Sequence, residues 1–246
     1  MTASGAPAGQ RYLALIVELI DRLRIQEWPN IEAAAEVVAD ALQAGASIHA
    51  FGTGHSHILA EELFYRAGGL VKVKPILFEG LMLHESARLS TSLERMPGLA
   101  TALLEDHPIT AGDVVIVASN SGGNAVSSEL AEASRSAGAA VIAITSLRHA
   151  KSTAVRPTDA AKLHEIADVV IDNGGGVGDA AIAIDGYDRK VAPTSTVIGA
   201  AILNAIVAGA VERLVTRGTP PDVYTSSNVE GGDEANARFL RAGAER

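Results

Sequence analysis

DVVIVASNSGGN, Asp113 to Asn124, is the stretch whose reading decides the fold. Val114 to Ala118 form an unbroken apolar run, and the polar turn Ser119 to Asn124 separates it from a helical pattern that begins at Ala125. A short strand that is apolar throughout belongs in the middle of a parallel sheet, covered on both faces. The turn after it can aim backbone N–H groups, hydroxyls and the positive end of a helix dipole at one tetrahedral anion. The stretch therefore predicts a site for a phosphate or a similar anion. The plainer reading is an ordinary strand-to-helix turn, because Ser, Asn and Gly are turn formers.

Outward from this stretch, strands and helices alternate. Upstream, Ser47–Phe51 reads as a strand that runs into Gly52-Thr53-Gly54-His55-Ser56-His57 and a helix over Ile58–Ala67. Val71–Phe78 is a second strand, placed near an edge by Pro75. Glu79 to Met96 reads as one long connection and Gly98–Asp106 as a helix. Downstream, the helix Ala125–Ala137 leads to a strand, Ala139–Ile144, that ends in Thr145-Ser146. His149–His164 is polar and irregular, Asp168–Ile171 is a strand, and Ala181–Ile184 is a short strand or an extension of the sheet. Thr194–Val215 is a long helix, apolar on most faces and therefore buried in the core or against another subunit. Two opening helices are expected, Arg11–Ile25 and Ile31–Gln43, broken at Trp28-Pro29-Asn30 with Asn30 capping the second. The alternation implies βαβ units with right-handed crossovers. It divides into an N-terminal helical arm over residues 1–45, an α/β domain over 46–217, and a tail with a short helix over 218–246.

Composition narrows the function classes. With 48% hydrophobic but only 4% aromatic residues, the core must be aliphatic, which suits helices layered on a parallel sheet. No cysteine is present, so disulfides and thiolate metal sites are excluded. The net charge of −9 and the lack of a basic run argue against nucleic acid. No signal pattern and no membrane-length apolar run stand out, so a cytoplasmic protein without a membrane partner is expected.

Three strand ends carry comparable chemistry: Gly52–Ser56, Ser119–Asn124 and Thr145-Ser146. In an open parallel sheet these ends share one edge, where ligands bind at a topological switch. A dinucleotide site is disfavoured, because His57 stands where the third glycine of G-x-G-x-x-G is needed. Glu61 and Glu62 follow His57 by about one helical turn, and Arg66 lies four residues past Glu62. Adjacent acids usually form a solvated face; beside an anion site they are candidate bases. His55, His57 and Glu61 have a conceivable metal spacing, but no third strong ligand is evident, and neither metal nor cofactor is expected. Glu79 and His84 lie in the long connection that leaves the same sheet edge, with His84 a candidate for ring opening.

Taken together, GTGHSH (52–57) with AEEL (60–63), SNSGGN (119–124), ITS (144–146) and APTST (192–196) resemble the sugar isomerase (SIS) domain family. The likeness runs from the second helix to Arg217. It is greatest to uncharacterised single-domain members that share Ser227-Asn228…Gly231-Gly232-Asp233-Glu234, with the phosphoheptose isomerases as relatives. The resemblance implies a three-layer α/β sandwich, a five-stranded parallel sheet flanked by helices, in a dimer or tetramer with sites at subunit interfaces. It implies that Ser56, Ser119, Asn120, Ser121 and Asn124 hold the substrate anion, with Thr145 and Ser146 beside them and Thr194 and Ser195 as further contacts. AEEL resembles the stretch that carries the base in phosphoheptose isomerase, which makes Glu62 or Glu61 the expected base. His84, His57 or His55 would move the hydroxyl proton.

The expected activity is thus aldose–ketose isomerisation of an anionic sugar: the cradle fixes the anion, a carboxylate moves the proton beside the carbonyl, and loop amides stabilise the enediolate. Since SNSGGN holds no cation, a sulfonate would suit it as well as a phosphate. A lyase or deaminase, or a sugar-phosphate-binding protein without turnover, are the alternatives.

Overall fold

Aliphatic alternation along the strands builds the core. The computed structural model describes residues 5–152 and 161–243. Five strands, β1 (Ile48–Gly52), β2 (Val73–Ile76), β3 (Val114–Ala118), β4 (Ala140–Thr145) and β5 (Val169–Asp172), form one sheet in the order β2-β1-β3-β4-β5. All its pairings are parallel. On β3, Val114, Ile116 and Ala118 face one apolar layer and Val115 and Val117 the other. This two-sided burial is why the strand reads as continuously apolar. The layers are covered by helices, giving the expected three-layer sandwich. Pro75 falls in β2, which is an edge strand.

One layer contains α1 (Ala8–Arg22), α2 (Trp28–Gln43), α3 (His57–Leu63) and α9 (Ser195–Thr216). The other contains α4 (Leu83–Leu93), α5 (Leu99–Asp106), α6 (Ala125–Ser136) and α8 (Leu163–Ile166). A short α7 (Leu147–Ala150) follows β4. By length and composition alone α9 would pass for a membrane span. In the fold its buried face, Ile198, Ile202, Leu203, Ile206, Ala210 and Leu214, packs against α2 and α3.

Four local expectations are corrected. First, no break separates the opening helices: a π-helical segment, Leu23–Glu27, carries the chain from α1 into α2. Pro29 lies in the first turn of α2, where its missing N–H is tolerated. The wide turn points Glu27 inward, where its carboxylate accepts from Asn30 Nδ2 (2.9 Å), Arg22 Nη2 (3.4 Å) and the Asp172 N–H (3.2 Å). Asn30 is thus a donor to Glu27 instead of a helix cap. Second, the connection after β2 is not an open loop. A 3₁₀ turn at Glu79–Leu81 leads into α4, which is kinked at Ser86 and tied back by the buried Ser90 hydroxyl donating to the Leu81 carbonyl (2.8 Å). Third, the strand expected at Ala181–Ile184 does not extend the sheet. It forms a separate antiparallel pair, β6 (Ala180–Ile182) with β7 (Val191–Pro193), pinned to α1 by the Tyr12 hydroxyl on the Pro193 carbonyl (2.9 Å). Fourth, the stretch His149–His164 is irregular only in part: its ends lie in α7 and α8, residues 151–152 and 161–162 are outside any helix or strand, and residues 153–160 lie outside the described residues.

The tail runs antiparallel to the segment before β2 through a Leu70–Val223 bridge and ends in α10 (Gly232–Gly243). Asn236 clamps it by bonding both the N–H (3.0 Å) and the carbonyl (2.7 Å) of Thr225.

Candidate functional site

The order β2-β1-β3-β4-β5 reverses direction between β1 and β3. In open α/β sheets ligands bind outside the strand carboxyl ends at this kind of switch point. The register puts Gly52 beside Ala118, Ala118 beside Ile144 and Thr145 beside Asp172. The turns after β1, β3, β4 and β5 therefore form one rim.

The turn after β1 folds back tightly on its own strand. A Cβ on Gly52 would sit 2.3 Å from the Ser56 carbonyl oxygen, so only glycine fits there. The Ser56 N–H closes the turn on the Thr53 carbonyl at 3.0 Å. His57 starts α3, and its Nδ1 meets the Gly54 carbonyl oxygen. A carbonyl can only accept, so Nδ1 carries the proton and Nε2 is the basic nitrogen of the neutral ring. That Nε2 lies 3.8 Å from Glu61 Oε2, one turn along the helix. The His84 ring, at the start of α4, is 6.0 Å from the His57 ring between centroids. His57, Glu61 and His84 thus converge. His55 is exposed on the same turn, and Glu79 is exposed in the 3₁₀ turn before α4. Glu62 points elsewhere: it pairs with Arg66 and accepts from Asn204 Nδ2 at 2.7 Å.

In the turn after β3, Ser119 is buried and its Oγ accepts from the Gly122 N–H at 3.2 Å. Gly122 adopts φ +64°, the left-handed region, and its carbonyl accepts from the Leu163 N–H at 2.8 Å. The partly exposed side chains of Ser56, Ser121 and Asn124 have no hydrogen-bond partner among the described residues. Ser121 and Asn124 directly precede α6, whose N-terminal dipole favours negative charge, and Ser56 lies on the turn after β1 at the same rim.

The remaining predicted contacts are occupied within the chain. Asn120 accepts from Asn173 Nδ2 at 3.0 Å, and its carbonyl receives the Thr145 hydroxyl at 3.3 Å. Thr145 and Ser146 are fully buried. Ser146 Oγ donates to the Gly175 carbonyl (2.7 Å) and accepts from the His149 N–H (3.1 Å). Thr194 and Ser195 hold Asp179, whose Oδ1 accepts from both of their N–H groups at 3.0 Å and so caps α9. These five residues shape the rim by fixing the turns.

Sequence reading missed several residues that the fold brings to this rim. His149 Nδ1 accepts from the Gly178 N–H at 2.8 Å, which requires a neutral ring, and burial holds its pKa below the usual imidazole value against the pull of Asp179. Asp172 Oδ1 accepts from the Leu147 and Gly174 N–H groups at 3.0 Å each, and its Oδ2 pairs with Arg22 at 2.7 Å. Thr53 and Glu94 meet at 3.0 Å. Asn173 and Asp172 follow a recognisable strand into a Gly-rich turn, a signal like that of SNSGGN. Glu94 leaves no such signal, because its partners are 41 residues upstream and 32 residues downstream. Among the described residues, no cluster of three or more His, Asp or Glu side chains is arranged to hold a metal ion.

Residues 11–146 match the family described as the SIS domain. A UPF0309 protein of Geobacillus thermodenitrificans is 44% identical over 236 residues, covering 96% of this chain and 95% of that protein. The chain belongs to the SIS domain family. A UPF0309 protein of Streptomyces coelicolor is 40% identical to this SIS-domain chain over 242 residues, covering 98% of the chain and 96% of its relative. Among solved structures, a phosphoheptose isomerase from Francisella tularensis superposes with a TM-score of 0.54 at 12% identity, over 82% of this chain and 95% of that one. At that identity the likeness is one of fold: the five-stranded parallel sheet with helices on both faces.

Proposed function

We propose that this SIS-domain protein is an aldose–ketose isomerase of a phosphorylated, or otherwise anionic, sugar. The observation that supports the reading is that the turns after β1 and β3, one carrying His57 and Glu61 at 3.8 Å and the other Ser121 and Asn124, lie on one sheet rim at the β1/β3 switch point. Ser121 and Asn124 supply donors just before α6, and Ser56 supplies one from the turn after β1, none of them hydrogen-bonded among the described residues. With the anion anchored there, the carbon chain extends toward α3.

Of the two adjacent acids, Glu61 is the base. Glu62 is held by Arg66 and Asn204, whereas Glu61 keeps 48% of its side chain exposed beside His57 Nε2. Glu61 takes the proton from the carbon next to the carbonyl and returns it to the neighbouring carbon. His57, with Nδ1–H fixed on Gly54, moves the hydroxyl proton between the two oxygens through Nε2. Loop amides stabilise the enediolate between these steps. No net proton is gained or lost.

The assay is a panel of sugar phosphates and sugar sulfonates, with Glu61→Gln and Glu62→Gln measured singly. Glu61→Gln is expected to lose at least ~100-fold in kcat, the lower range for a general base. Undiminished turnover in Glu61→Gln removes the mechanism. Release of lactate or ammonia would replace isomerisation by a lyase or deaminase, which begins with the same proton transfer.

We further infer self-association. Leu13, Val17, Ile20 and Trp28 are exposed on the outer face of α1 and its continuation, opposite Leu15, Ile16, Leu19 and Leu23, which pack on the core. A second copy of this chain is the occupant proposed for that outer face.

A further inference from the structure

Glu94 closes α4 and reaches both sides of the switch-point crevice. On one side its Oε2 accepts from the Thr53 hydroxyl at 3.0 Å. Thr53 heads the turn whose next residue, Gly54, fixes the proton of His57 on Nδ1. On the other side the Glu94 carbonyl accepts from the Val126 N–H at 3.3 Å, in the first turn of α6. The carboxylate is well covered, with 17% of the side chain exposed, and among the described residues its one ion-pair partner is Arg95, with Nε 4.0 Å from Oε1. A shielded carboxylate that accepts a hydroxyl makes one of the stronger hydrogen bonds in a protein.

We propose that Glu94 is the positioning residue of this site: it fixes the turn after β1 to the start of α6, so that the acid–base pair and the anion cradle keep one spacing. It touches neither proton nor anion and acts through Thr53 and Val126. This rests on the anion-site reading above. Without the clamp, the β1 turn is free to shift, the Gly54 carbonyl leaves His57 Nδ1, and the ring becomes a mixture of tautomers. The α6 turn then meets the anion with its partners displaced.

The test uses the full chain with two probes that need no identified substrate: inorganic phosphate for the cradle, and ¹⁵N shifts of the His57 ring for the tautomer. Glu94→Ala and Thr53→Val are each expected to weaken phosphate about tenfold, the loss of one charge-assisted hydrogen bond. Both should move the His57 ring nitrogens toward averaged tautomer shifts. The two changes combined should be no worse than either alone, since they remove one bond. Glu94→Gln keeps an oxygen acceptor for Thr53 and should restore most of both readouts. A folded Glu94→Ala or Thr53→Val protein with unaltered phosphate affinity and His57 shifts overturns the assignment. If the unmodified protein ignores phosphate, the anion-site reading falls by itself. The His57 shifts then still decide whether Glu94 holds the β1 turn.

Discussion

Alanine at position 122 probes the anion turn directly. Gly122 has φ +64°, and a Cβ there would lie 3.0 Å from Thr145 Oγ1. An L-residue in the left-handed region costs about 1–2 kcal/mol. The contact adds to this, because Thr145 cannot give way freely: its hydroxyl is donated to the Asn120 carbonyl inside the rim. Losing that bond costs about 0.5–1.5 kcal/mol. The sum for Gly122→Ala is therefore about 1.5–3.5 kcal/mol, a fall in Tm of roughly 3–14 °C for a domain of this size. Gly112→Ala is the control. Gly112 has φ +90° with no atom within 4 Å of a Cβ, and it lies before β3, at the far end of the sheet from the rim. It should show the backbone cost alone, about 1–2 kcal/mol, and any gain from a stiffer unfolded chain cancels between the two variants. Urea unfolding and phosphate titration of both proteins give the answer. Gly122→Ala should be the less stable and should bind phosphate more weakly, with Gly112→Ala binding as the unaltered protein does. Equal destabilisation, or unchanged phosphate affinity in Gly122→Ala, refutes the reasoning.

Three further outcomes are expected. His49 is buried on β1 with neither ring nitrogen hydrogen-bonded among the described residues, and burial holds its pKa below the usual imidazole value although Asp113 lies 3.6 Å away. The unfolded chain thus binds this proton first, and stability should fall as pH drops below about 6.5, an acid limb that His49→Phe should flatten in unfolding curves taken from pH 8 to 5. Asp113 adds a second limb further down: burial pushes its carboxyl up, but the N–H groups of Ser47 and Thr110 and the Thr110 hydroxyl outweigh this and hold it low, so its contribution is lost only below the ordinary carboxylate range. For self-association, Val17→Asp should turn a dimer or tetramer into a monomer in sedimentation, and a monomer before the change rules out the α1 face as an interface.

The sequence by itself determined the layers and the rim. Val114–Ala118 is apolar at every position because both faces of β3 are covered, and its short length before a Ser/Asn/Gly turn favours a strand over a buried helix. The Ser/Asn/Gly turns were legible for the same local reason: turn formers after a buried strand need no distant partner to be recognised. Only the tertiary structure decided which hydroxyls stay available. Thr145, Ser146, Thr194 and Ser195 look like Ser56 and Ser121 in the chain, yet they are taken up by Asn120, Gly175 and Asp179. It also separated Glu61 from Glu62, since adjacent helix positions point about 100° apart and Asn204 on α9 claims one of them. Helix continuity across Pro29 depended on Arg22, Glu27 and Asp172 meeting across about 145 residues, and Glu94 reached the crevice the same way. Local periodicity records which side of an element is buried; a hydrogen bond between distant segments leaves no periodic trace in the chain, so the clamps that shape this site had to be read from the fold.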